Sequence, residues 1–131
     1  MIEFTVDGPP CTQGSMRSTT VGGRRVLYHD NAKLVPWRRR AFLAARDAMV
    51  RARVLTLDGP VSVDARFVVE RPKSAKKRAH PHTKPDLDKL CRALGDALTG
   101  VVVTDDSRIV EWRARKEYGE PRTEVRVEVV S

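Results

Sequence analysis

Leu87, Leu90, Cys91, Leu94 and Leu98 keep a helical period in a chain whose other apolar runs mostly alternate. The spacing i, i+3, i+4, i+7, i+11 draws one apolar stripe along a helix over residues 87–98. Such a stripe must be buried against another layer, and the alternating runs supply a sheet. Ile2, Phe4 and Val6 face away from Glu3, Thr5 and Asp7 until Gly8-Pro9-Pro10 stops the strand. Val61, Val63, Ala65, Phe67 and Val69 alternate with Ser62, Asp64, Arg66 and Val68. Val110, Trp112 and Ala114 alternate, as do Val125, Val127 and Val129, with a turn at Gly119-Glu120-Pro121 between them. The last two runs read as a terminal β-hairpin.

A second helix starts near Pro36, since proline suits a first turn that needs no amide donor, and runs to about Arg53. Trp37, Ala41, Ala44, Ala45, Ala48 and Ala52 give it a small-residue face, flanked by Phe42 and Met49. Residues 16–28 read as a ribbon with Gly22-Gly23 at its turn. The expected architecture is α+β: one two-layer domain over residues 1–131, with a mixed β-sheet packed against two main helices. Gly100 ends the second helix, and Val101–Val103 return toward the sheet.

The chain is strongly basic, with net charge +8, yet its acids gather in one place. Residues 86–106 hold five aspartates (Asp86, Asp88, Asp96, Asp105 and Asp106) against Lys89 and Arg92. Immediately before them, RPKSAKKRAHPHTKP at 71–85 carries six Lys/Arg, three Pro and no acid, which makes it a loop. A basic chain of this kind suits a polyanionic partner, nucleic acid before an anionic membrane surface. No apolar run reaches the length of a membrane span, and no signal-type run opens the chain, so a soluble, cytoplasmic protein is expected. Cys11 and Cys91 have no ligand-type spacing and read as reduced thiols, Cys91 as a small core residue.

Asp86 and Asp88 fall at the start of the helix, because Pro85 biases Lys84 toward extended geometry. Inside a helix residues two apart diverge, but an extended first residue lets both carboxylates converge. Helix capping is the plain alternative, and one aspartate suffices for it. Asp105 and Asp106 follow the turn after the helix and can return beside the first pair. Carboxylates so gathered repel unless a cation neutralises them, and oxygen-only ligands favour Mg²⁺ or Mn²⁺. Such an ion can activate water and stabilise the leaving oxygen of a phosphoryl transfer. A metal nuclease and a set of scattered surface acids both remain open from the residues alone.

KPDLDKLCRALGDALTG followed by DDSRIV resembles the pattern of the RusA family of Holliday junction resolvases, many of them phage-borne. FTVDGPP and KLVPWRRRA are similar as well, so the resemblance spans most of the chain. It implies cleavage of branched DNA (four-way junctions) by a homodimer using Mg²⁺ or Mn²⁺, in a bacterial or phage-infected cytoplasm, with no small-molecule cofactor. A C2 dimer also suits the near-twofold symmetry of a junction. Asp86, Asp88 and Asp106 would ligate the metal, Asp105 would be a ligand or its partner, and Asp96 a supporting residue. Two positions depart from the pattern. Lys89 stands where the family usually has Asn, and Arg92 replaces a catalysis-associated Lys. Arg92 and Lys89 would stabilise charge, although arginine cannot exchange a proton. Arg92 could instead pair with Asp88 or Asp96 along the helix.

Lys73, Lys76, Lys77, Arg78 and Lys84 are candidates to track phosphates, and so are Arg17, Arg24 and Arg25 around the ribbon unless that hairpin is simply solvated. His80 and His82 form an H-x-H pair, read as solvated or phosphate-contacting more than metal-binding. Trp37 and Trp112 are expected in the core. The alternatives to a junction resolvase are a branched-DNA-binding protein with weakened chemistry and a metal-dependent phosphatase or nucleotidyl enzyme for small substrates.

Overall fold

The computed structural model describes residues 1–12, 16–29 and 33–131, without the side chains of 16–19 and 26–29. In chain order the elements are β1 (Ile2–Asp7), β2 (Met16–Val21), β3 (Arg24–His29), α1 (Leu34–Ala52), β4 (Val61–Val69), α2 (Leu87–Leu98), β5 (Ile109–Tyr118) and β6 (Arg122–Val129). Single 3-10 turns occupy Lys73–Ala75 and Asp106–Arg108. No described helix is long and apolar enough to cross a membrane.

The ribbon forms as its glycines dictate. β2 and β3 pair antiparallel with Val21 opposite Arg24, and Gly22 and Gly23 both take positive φ, as a two-residue hairpin turn demands. The four remaining strands form a mixed sheet in the order β1-β6-β4-β5. β6 runs antiparallel to both neighbours, while β4 and β5 run parallel, joined through α2. Both helices bury their apolar residues with the inward residues of this sheet, so the α+β two-layer expectation holds.

The terminal hairpin does not form. β4 lies between β5 and β6, so the strands joined by Gly119-Glu120-Pro121 are not neighbours. The connection crosses the end of β4, where the Gly119 amide donates to the Val69 carbonyl at 3.0 Å. A Cβ on Gly119 would stand 2.9 Å from Val68 Cγ1, so glycine serves close approach here. The parallel β4–β5 pairing fills the place that a hairpin would give to β6.

α1 begins two residues before Pro36 and ends at Arg53, whose φ of 56° is left-handed. It buries Leu34, Trp37, Ala41, Ala45, Ala48 and Met49. α2 buries Leu90, Ala93, Leu94, Gly95, Ala97 and Leu98. Each of its three buried leucines contributes on the order of 2 kcal/mol relative to exposure. After α2, Gly100 turns the chain at φ 86°, and Val101–Val103 enter the core beside residues 56–57, just ahead of β4. The Leu57 amide donates to the Val102 carbonyl at 2.8 Å, and the Thr104 amide to the Leu57 carbonyl at 3.0 Å.

Candidate nuclease site

Asp86 is the residue at which α2 begins. Its backbone is extended (φ −71°, ψ 133°), and its carbonyl accepts the Leu90 amide at 3.1 Å. Its side chain makes no capping hydrogen bond, so the capping alternative fails for Asp86. The carboxylate instead stands 3.7 Å from the Lys89 ammonium, a half-exposed pair one turn apart. Asp88 follows in the first turn, exposed. Arg92 is exposed and forms no ion pair among the described residues, so the anticipated pairing with Asp88 or Asp96 is not made. Asp96 is taken by Arg38 of α1 at 3.6 Å, a strut between the helices.

The second pair of acids is positioned by a residue that sequence reasoning passed over. Asp58, just before β4, accepts from Thr104 Oγ1 at 2.6 Å and from Arg108 Nη2 at 3.1 Å, while Arg108 Nε reaches the Asp58 carbonyl at 2.9 Å. These bonds brace the turn that carries Asp105 and Asp106. The Thr104 hydroxyl first, and then Arg108, holds the Asp58 carboxyl below its ordinary range. Asp105 caps the 3-10 turn by accepting the Ser107 amide at 3.0 Å. Ser107, through its hydroxyl first and then its amide, also holds the Asp105 carboxyl low. Asp106 opens the turn and is exposed.

Between α2 and the start of β5 lies an open cleft of about 230 Å³, lined by Asp88, Cys91, Arg92, Gly95, Asp106, Ile109 and Trp112. Trp112 corrects an expectation. It is 37% exposed, because β5 is the edge strand and α2 covers it only in part. Trp37 is fully buried, as expected. Gly95 faces the Trp112 ring, Ile109 and Asp106, and its missing side chain leaves the cleft floor open. Cys91 is partly buried, and desolvation first, with the Asp88 charge second, pushes its thiol up and keeps it protonated. Asp86 and Asp105 do not line this cleft.

The donors here are carboxylate oxygens, the set that suits Mg²⁺ or Mn²⁺. Asp88 and Asp106 share the cleft without meeting at a point. Seven residues of helix, about 10 Å of rise, separate Asp88 from Gly95, which packs against Asp106. Among the described residues no three His, Cys, Asp or Glu side chains form a closed metal cage. Mg²⁺ does not require one, since it is commonly held by one or two carboxylates with waters and substrate phosphate. The residues present fit a cation of that kind.

The basic loop before α2 is anchored to the end of β5. Arg71 stacks over Tyr118, 4.3 Å from the ring centre, and donates to the Ala75 carbonyl at 3.1 Å and to the Arg78 carbonyl. Arg78 stands 3.4 Å from both Thr83 Oγ1 and Tyr118 Oη. Lys73, Lys76, Lys77 and Lys84 remain exposed and form no ion pair among the described residues. Arg24 and Arg25 are exposed too, whereas the Arg17 side chain lies outside the described residues. His82 Nδ1 sits 3.1 Å from the His80 carbonyl oxygen, where the ring nitrogen must donate.

Lys116 of β5 was also missed. Its ammonium donates to the carbonyls of Thr83 at 2.8 Å and Pro85 at 2.9 Å, immediately before Asp86. In the sequence it appears only as a polar interruption of the alternation Trp112, Ala114, Tyr118.

A family model described as endodeoxyribonuclease RusA matches residues 7–128. The chain is similar to a Bacillus subtilis (strain 168) protein named "Uncharacterized protein YqaN", 34% identical over 99% of this chain and 97% of that protein. With the elements, the cleft and these matches together, the chain belongs to the RusA family of endodeoxyribonucleases.

Proposed function

We propose that the protein resolves four-way DNA junctions by Mg²⁺- or Mn²⁺-dependent phosphodiester hydrolysis, as a symmetric homodimer in the cytoplasm of a bacterial or phage-infected cell. The observation that carries this reading is the cleft that Asp88, Asp106 and Arg92 line together in a chain of this family. Asp88 and Asp106 in the cleft, with Asp86 at the start of α2, would hold a divalent cation together with substrate phosphate and water, and that ion would supply a nucleophile at neutral pH and stabilise charge on the leaving oxygen. Asp88 and Asp106 offer exposed carboxylates from two separately braced elements, α2 and the 3-10 turn. Asp105 keeps that turn in shape. Arg92, without an ion-pair partner among the described residues, pins a phosphate oxygen with a charge that does not titrate. Lys89 balances Asp86 until substrate arrives. Lys73, Lys76, Lys77 and Lys84 draw the phosphate backbone toward acids that it would otherwise avoid.

On α1, the exposed Val35, Phe42, Leu43 and Val50 share an arc of about 100° with the exposed Arg39 and Arg46, a mixed face that a second copy could cover.

The test is nicking of a synthetic four-way junction in Mg²⁺, against a linear duplex of the same sequence. Cutting of the junction alone supports the reading; no cutting by the wild type sinks it. The second reading, a branched-DNA binder with weakened chemistry, is favoured by the Lys89–Asp86 pair and the non-titrating Arg92. It predicts metal-independent junction binding without cleavage, and recovery of cleavage when Lys89→Asn is combined with Arg92→Lys.

A further inference from the structure

We infer that Lys116 is a positioning residue for the aspartates at the start of α2, and that it acts by holding the carbonyls of Thr83 and Pro85. Its catalytic consequence rests on the function proposed above; its structural consequence does not.

Lys116 occupies an inward position on β5. It pairs in register with fully buried Phe67, and Ala114 and Tyr118 flank it on the same side of the strand. Lys116 is partly buried there, and its ammonium reaches the segment that leads into α2. Two of its three protons go to Thr83 and Pro85, in charge-assisted bonds of 2.8 and 2.9 Å. Pro85 has no amide hydrogen, so its carbonyl is the backbone group by which this residue can be held.

These bonds lie three residues and one residue ahead of Asp86, whose side chain caps nothing. The start of α2 is therefore tied to β5 by Lys116 and not by a cap of its own. A second contact lies further along the helix, where Gly95 meets Trp112 and Ile109 of the same strand. Two contacts along one strand fix how far α2 can slide or tilt on β5. β5 itself begins just after Asp106. Both groups of acids are thus referenced to one strand, and Lys116 sets the distance at which the Asp86–Asp88 group stands from Asp106.

Removing the ammonium should loosen residues 83–90 while leaving the core intact, because Leu90, Leu94 and Leu98 still seat the helix. Lys116→Met keeps the apolar stem and Lys116→Arg keeps the charge. In Lys116→Met, amide hydrogen exchange of residues 86–90 should quicken at least about tenfold, with β4 amides unchanged. Single-turnover junction cleavage should fall about 10–100-fold, junction affinity should stay within about twofold, and the Mg²⁺ needed for half-maximal rate should rise. Lys116→Arg should recover part of the rate. Unchanged exchange at 86–90 overturns the inference whether or not the protein cuts DNA. Equal losses of rate and affinity overturn it too, by making Lys116 a DNA contact. If Lys116→Met does not fold, the Arg variant decides, and wild-type rate and Mg²⁺ dependence without either carbonyl bond would overturn the inference. A wild type that cuts no junction refutes the proposed function, whereas the exchange result still judges the tether.

Discussion

The open face of the sheet and the cleft beside α2 are both rich in charge, and they use it in opposite ways. On the open face most of the charges are paired. Arg66 binds Glu117 at 2.5 Å and Glu124 at 3.2 Å, Arg122 binds Glu124 at 2.6 Å, and Arg126 binds Glu3 at 3.0 Å. Arg122 first, with Arg66, keeps the Glu124 carboxyl low. A hollow of about 670 Å³ lies among these groups, much larger than the cleft, but its Glu3, Asp64 and Glu124 alternate with Arg66, Arg115 and Arg126. In the cleft, Asp88, Asp106 and Arg92 have no ion-pair partners among the described residues. Charge that is already paired does little for a ligand. The smaller hollow is the better candidate because its charge is still available.

The largest contrast should come from removing one arginine on each side. Arg92→Met should lower single-turnover junction cleavage about a hundredfold, the scale of losing one charge-stabilising donor. Arg66→Met should leave cleavage within about twofold, since partly exposed pairs on the far face contribute little. Equal losses in the two variants would erase the distinction.

Next is a change that should touch stability and spare the site. Gly119→Ala places a methyl 2.9 Å from Val68 Cγ1 and should destabilise the fold by about 1–3 kcal/mol in a denaturant titration, as overpacking does. Cleavage by the folded fraction should not change.

The basic loop offers a smaller effect. Lys76→Ala with Lys77→Ala should weaken junction binding for all sequences alike and reduce the slope of log affinity against log salt by about 2. An unchanged slope would remove the loop from the DNA interface.

The elements were legible in the sequence because each carries its own period: β4 spans the alternating residues 61–69, and α2 the stripe 87–98. Strand order was not. Gly119-Glu120-Pro121 resembles a hairpin turn locally, and nothing nearby reveals that Val68 lies beneath it. Trp112 fits a core alternation, but its exposure depends on how far α2 covers an edge strand. The candidate acids were legible as a charge anomaly. Their supports were not, since Asp58 reaches partners 46 and 50 residues away and Lys116 reaches back 31 and 33. Side-chain tethers over such separations leave no periodic trace.

The smallest expected effect is on pH dependence. Asp58 and Asp105 have carboxyls held below the ordinary 3.8, so the stabilisation they give the 104–108 turn is complete above that value. It should be lost as the pH falls through their lowered values. Amide exchange at Ser107 and Arg108 should therefore be flat from neutral pH down to about 4, after correction for intrinsic rates, and accelerate only below that. Acceleration already near neutral pH would show that other groups hold the turn.

The proposed metal-dependent cutting of branched DNA depends on Asp88 and Asp106, which have no ion-pair partners among the described residues. Single-turnover cleavage of a four-way junction, with Mg²⁺ and with EDTA, for the wild type and Asp88→Asn, tests it most directly. Mg²⁺-dependent cutting by the wild type is expected, with at least about a hundredfold loss in Asp88→Asn and junction binding retained. Equal cutting by the two proteins, or wild-type cutting that persists in EDTA, would contradict it.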